Sequence, residues 1–127
     1  MQRLMTKYVH LLGKESRQKI IEILADERGV RELANELDIT PAAVSKYLSG
    51  LTHPSDLVIE RAIKIANEDE IRKIAKIVEE EFIEGLTSFV EWSVDKGVLD
   101  TRFYRRLNDI TAKVGLVTLS QRDLNAS

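Results

Sequence analysis

The chain has 127 residues, 43% of them hydrophobic, enough for one or two small packed units, and no apolar run approaches the roughly 18 residues of a membrane helix. Cysteine is absent, which excludes disulfides, thiolate catalysis and Cys-based zinc sites. The net charge of −2 argues against a protein that coats nucleic acid regardless of sequence, because such proteins are normally strongly basic.

In chain order, Leu4, Met5, Tyr8, Val9 and Leu12 fall at helical spacing. They predict a short opening helix over residues 3–12 ended by Gly13, or alternatively an arm exchanged with a partner. Ser16 is placed as the N-cap of a helix over 17–27, with Ile20, Ile23 and Leu24 inward and Gly29 just past its end. Residues 30–48 then predict two short helices around a tight turn. Leu33, Ala34 and Leu37 form one apolar stripe, and Ala34 is the small residue needed where two helix backbones approach closest. Asp38 stands where the turn needs a left-handed backbone, a conformation Asp tolerates better than most residues. Ile39 plugs the turn. Thr40 and Pro41 supply an N-cap and a proline at the first helical position, where its missing N–H costs nothing.

The second of these helices has two faces. Ala43, Val44, Tyr47 and Leu48 share one side; Ala42, Ser45, Lys46 and Ser49 share the other, and Gly50 ends the helix. The outer set has short side chains that allow close approach to a groove, plus one long cation able to reach guanine O6/N7 or a phosphate. An ordinary two-helix hairpin would share the amphipathicity. The small residue, the plugged turn, the Thr-Pro start and the polar outer face together point to a helix-turn-helix, whose second helix usually lies in the DNA major groove. After the loop Leu51-Thr52-His53-Pro54, Ser55 caps a helix whose Leu57, Val58, Ala62, Ile63, Ile65 and Ala66 close a small core.

The second half differs in character. Residues 1–66 carry ten Lys/Arg and nine Asp/Glu, whereas 67–127 carry nine and twelve, so the halves are +1 and −3. Asn67 and Glu70 have capping-box spacing ahead of a helix running to about Asp95. Ile71, Ile74, Ala75, Val78, Phe82, Leu86, Phe89 and Trp92 lie on one stripe of that helix. From Phe82 on, Ile83, Val90 and Val94 widen the apolar arc to about 200°. Lys96-Gly97 turns the chain, Thr101 is placed as the cap of a short last helix, and Phe103, Tyr104, Leu107, Ile110 and Val114 give it an apolar face. The expectation is a homodimer in which residues 68–115 of two copies pack together through Phe82, Ile83, Leu86, Phe89, Val90, Trp92, Phe103, Leu107 and Ile110. The alternative is that this surface packs on residues 1–66. The same aromatics could instead line an effector pocket. The tail from Thr118 is expected to be mobile.

Residues 32–50, followed by Pro54-Ser55 and a helix ending Ile63-Lys64-Ile65-Ala66, resemble the lambda-repressor-like (Cro/repressor) DNA-binding family over about residues 16–66. The resemblance implies that Thr40, Pro41, Ala42, Ser45 and Lys46 face bases or nearby phosphates. It also implies that Ser49 to Ser55, with Thr52, His53 and Ser55 among them, lie along the DNA backbone. The chain departs from the family at the start of the first motif helix. Members commonly have a polar cap and a Gln that clamps phosphate there; this chain has Gly29-Val30-Arg31, leaving Arg31 as the substitute.

Enzyme chemistry finds little footing, and neither cofactor nor metal is expected. His10 and His53 are the only histidines and lack metal-ligand spacing; His53 reads as a backbone contact or as a solvated loop residue. Glu79, Glu80 and Glu81 fan over about 200° of a helix, so their carboxylates cannot converge. No phosphate-cradling glycine loop or nucleophile elbow is present. Few Gln, no Cys and 31% charged residues form a thermophile-like composition, archaea included. The first residues lack a signal-peptide pattern, so a cytoplasmic protein is expected.

These readings converge on an all-α protein: a helix-turn-helix bundle over 1–66, then a long and a short helix for dimerisation over 67–127. The expected function is a transcriptional regulator binding double-stranded DNA as a homodimer on a palindromic operator. The alternative is a protein-interaction adaptor or antitoxin-like module using the same helices.

Overall fold

The computed structural model describes residues 7–126, and among them there are helices and no strands. The fold class is therefore all-α. Leu4 and Met5 of the expected opening helix lie outside the described residues. Residues 7–10 are helical, and Val9 and Leu12 are buried in the core of their own chain.

Helix α1 spans Lys14–Arg28 and starts at Gly13, not at Ser16, which is buried inside the helix. The cap is tertiary. Both carboxylate oxygens of Glu81, 68 residues away, accept from the Gly13 N–H at 3.0 and 2.8 Å, so no local cap was needed. Gly29, with φ 78°, ends α1, and α2 (Val30–Leu37) follows at once. Asp38 is left-handed, φ 58° and ψ 47°, as its place in the turn predicts, and the Ile39 N–H returns to the Ala34 carbonyl at 3.0 Å. Helix α3 (Pro41–Ser49) opens with the Thr40 hydroxyl accepting from the Ala43 N–H at 3.1 Å. It closes at Gly50, φ 78°, where the Leu51 N–H reaches the Lys46 carbonyl at 2.9 Å. Ser55 caps α4 (Asp56–Ile65) through the Val58 N–H.

These elements share one core of Val9, Leu12, Ile20, Ile21, Leu24, Leu33, Ala34, Leu37, Val44, Val58, Ile59, Ala62 and Ile74. Each large side chain so buried contributes about 1.5–3 kcal/mol of transfer free energy before entropy is counted. The Leu33–Ala34–Leu37 stripe and Val44 all point into it.

Helix α5 (Glu68–Lys96) begins with the reciprocal cap that Asn67 and Glu70 predict. The Asn67 N–H donates to Glu70 Oε1 at 2.9 Å, and the Glu70 N–H donates to Asn67 Oδ1 at 2.8 Å. Glu70 is also buried against Arg28, which grips both of its oxygens and donates through Nε to Glu36 at 2.9 Å. The glutamate hydrogen bond holds the Arg28 guanidinium firmly protonated, and the guanidinium holds the Glu70 carboxyl below the usual range.

The described residues up to Gly85 form one compact unit and those from Leu86 on a second, so the division lies later than the expected 66/67. The reason is packing. Ile74 is buried in the N-terminal core, and Ile77, Val78 and Phe82 lean on it. Phe82, expected at a dimer interface, is half-buried against this core. Ile77 takes the inward place expected of Ala75, which is exposed along with Ile71.

In the second unit Gly97, φ 67°, turns the chain, and α6 runs over Thr101–Ala126. Its cap is Asp100, whose Oδ1 accepts from the Phe103 N–H at 2.8 Å, so Thr101 is the first helical residue and not the cap. The helix is 26 residues long, not short, and continues through the tail expected to be mobile. The Thr111 and Thr118 hydroxyls donate to the carbonyls of Leu107 and Val114 one turn back, at 2.9 and 2.7 Å, and so are satisfied within the helix.

Candidate nucleic-acid interface

Helix α3 divides as its sequence predicts. Val44 is fully buried and Ala43, Tyr47 and Leu48 are half-buried, while Pro41, Ala42, Ser45, Lys46 and Ser49 are exposed. Thr40 stands exposed at its start. In the loop that follows, Thr52, His53 and Ser55 are exposed and Pro54 is buried. Arg31, the second residue of α2, is exposed as well. The proposed contact residues thus fall on α3 and its flanking segments, without any of them being needed to fill the core.

The sequence of this region carries one further signal. Residues 40–55 contain no Asp or Glu, although the chain has 21 of them. An acid-free stretch of that length leaves Lys46 as an uncompensated local cation. The first carboxylate beyond it, Asp56, is already engaged. Its Oδ2 meets His10 Nδ1 at 2.8 Å and its Oδ1 accepts from Arg17 Nη2 at 2.7 Å, and these bonds, the histidine's first, hold its carboxyl below the usual range.

Sequence reasoning also missed the supports behind the loop. Arg17 is buried and donates to the carbonyls of Leu12 (2.9 Å), Val9 (2.9 Å) and Pro54 (3.1 Å). Gln18 donates to the Leu48 carbonyl at 2.9 Å. Neither residue has a motif, because its role depends on chain segments 30 to 37 positions away.

Two other places could carry chemistry. An open cleft of about 550 Å³ lies between the start of α1 and α5, lined by Lys14, Lys19 and Lys76 and by Glu15, Glu80, Glu81 and Glu84. Its charges are of both signs, and Glu81 among them is spent on the Gly13 N–H. Glu79 and Glu80 are solvated. Among the described residues no cluster of three or more His, Asp or Glu is arranged to hold a metal, and no helix is long and apolar enough to cross a membrane.

In the second unit Phe89 stacks on Trp92 with ring centroids 6.1 Å apart, and meets Phe103 edge-on at 5.7 Å. Val90, Phe103 and Leu107 are half-buried. Ile83 at the end of the first unit, and Leu86, Phe89, Trp92 and Ile110 in the second, are exposed, Trp92 by 53% and Ile110 by 60%. Val114, the last residue expected on the apolar face of α6, is exposed, and Val117 extends that stripe one turn further.

Comparison of the chain with protein-family models, with curated proteins and with solved structures finds no match.

Proposed function

We propose that the protein is a sequence-specific DNA-binding transcriptional regulator built on a lambda-repressor-like helix-turn-helix, with α2 and α3 as the motif and α3 as the reading helix. The observation that carries this reading is the outer face of α3. It is exposed, built of small residues with one free cation, and lies in a stretch without carboxylates. Short side chains let the helix sink into a major groove, where Lys46 can reach guanine O6/N7. Thr40, Pro41, Ala42 and Ser45 accompany it at the base edges. Arg31, Ser49, Thr52, His53 and Ser55 meet phosphates. The work is recognition, not catalysis, and its place is the cytoplasm.

The active species is a homodimer on a palindromic operator. A single module with so few cations on its reading face binds weakly, and the second unit leaves Phe89, Trp92, Ile110, Val114 and Val117 exposed, apolar groups that a second copy would cover. A palindromic operator asks that a dimer hold its two reading helices about 34 Å apart, one DNA turn. The same apolar surface favours an adaptor function as the second reading, in which a different protein covers it. The polar outer face of α3 favours DNA.

Selection of bound fragments from a genomic library tests the proposal. One enriched palindrome is the expected result; recovery of DNA without a common sequence overturns it.

A further inference from the structure

We infer that Arg17 and Gln18 are positioning residues for DNA binding: from one turn of α1 they fix the loop after α3, and so set the height of its phosphate-contacting groups. The inference rests on the DNA-binding reading and goes beyond it, since neither residue reaches the exposed face.

The loop is held at both ends by consecutive residues. At its start, Gln18 Nε2 donates to the Leu48 carbonyl at 2.9 Å. That carbonyl is among the last four of α3, which have no partner within the helix. At its end, Arg17 Nη1 donates to the Pro54 carbonyl at 3.1 Å, and Nη2 to Asp56 Oδ1 at 2.7 Å, on the first turn of α4. The rest of the guanidinium is committed to Leu12 and Val9. Between the two ties the backbone leaves α3 through left-handed Gly50, and the N–H groups of Leu51 and Thr52 both return to the Lys46 carbonyl. Ser49, Thr52 and His53 project from this tethered arc into solvent.

Burying a guanidinium is costly, and an apolar residue of similar size would often serve stability as well. What the arginine adds is direction. Its planar guanidinium fork holds three carbonyls and a carboxylate in one geometry that an apolar side chain could not impose. Phosphate contacts set register and orientation on the duplex, whereas base edges set sequence. The two residues therefore act on affinity and salt dependence, and leave base discrimination to α3.

The test uses the full chain with Gln18→Ala, the milder change, and Arg17→Lys, which keeps the charge but not the fork. Amide hydrogen exchange of Gly50, Leu51 and Thr52 is measured without DNA, and operator affinity is titrated against salt. For Gln18→Ala we expect loop exchange several-fold faster and exchange in α2 unchanged. Operator affinity should fall about tenfold, with the log–log salt slope smaller in magnitude by about 2 for a dimer, at roughly 0.9 per lost phosphate contact. The affinity ratio between the operator and a single-base variant should stay unchanged. Arg17→Lys should act in the same direction. Unchanged loop exchange in both variants overturns the inference whatever the DNA result. Faster exchange or a lower melting temperature with an unchanged salt slope also overturns it, by marking the pair as purely structural. A wild-type protein that prefers no DNA sequence overturns the functional reading itself, and is told apart because the exchange measurement needs no DNA.

Discussion

Glu70→Ala is the sharpest test of how the first turn of α5 is fixed to the core. The carboxylate is 2% exposed and the Arg28 side chain 13% exposed, so the pair is held almost out of water. The substitution removes both Arg28 contacts and the acceptor for the Asn67 N–H, leaving the guanidinium with Glu36 and the carbonyls of Ile65 and Leu24. Stranding one partner of such a pair costs about 3–5 kcal/mol, against about 5–15 kcal/mol for the stability of a whole domain. At about 4–8 °C per kcal/mol for a unit of this size, the melting temperature should fall by about 12–40 °C. Replacing both partners, Arg28→Met with Glu70→Leu, should recover more than half of the loss, because no buried charge is left alone. Acid gives an independent reading. The folded carboxyl is lowered relative to the unfolded one, so its contribution is present above the ordinary glutamate value of about 4.3 and is lost as pH falls from there through the folded value. Calorimetry from pH 7 to pH 2 on the wild type and Glu70→Gln should show a flatter acid limb in the variant. A loss below about 1 kcal/mol for Glu70→Ala, the worth of an exposed pair, would refute the argument.

Three further outcomes follow from the site and the second unit. Lys46→Ala should cost about 1–3 kcal/mol at the operator with the melting temperature unchanged, and unaltered affinity in a fluorescence titration would remove Lys46 from the base-reading set. With so few free cations, the wild-type dimer should show a log–log salt slope of magnitude about 4–7; a slope beyond about −10 would point to non-specific coating. Phe89→Glu places a charge in the middle of the exposed aromatic cluster, and light scattering should show dimers for the wild type and monomers for the variant, with residues 16–66 still helical by exchange. A wild-type monomer at tens of micromolar would sink the dimer model.

The parts of the fold that were legible in the sequence are those decided locally. Asp38, Thr40-Pro41, Gly50 and Ser55 are turn and cap residues whose effect depends on neighbours within four positions, and each acts as its chemistry predicts. The two faces of α3 follow from a period of 3.6 residues alone. The misreadings share the opposite cause. Ser16 reads as a cap because nothing nearby announces Glu81, and the arc on α5 does not say that Phe82 leans on the chain's own core. At Thr101 the error was one residue, Asp100 being the better acceptor. Arg17 and Gln18 carry no local signature at all.

The outer face of α3 has one more consequence, for the way such a protein can change over generations. Ala42, Ser45, Lys46 and Ser49 are exposed and fill no part of the core, whereas Thr40 and Gly50 bracket them as fixed points of cap and turn. Exposed substitutions away from caps and cores usually alter stability by less than about 0.5 kcal/mol. Each of these four positions can therefore be exchanged at little cost to folding. A lineage carrying this scaffold can wander through many surface chemistries on that helix and, on the DNA-binding reading proposed above, acquire a new target without passing through an unfolded ancestor.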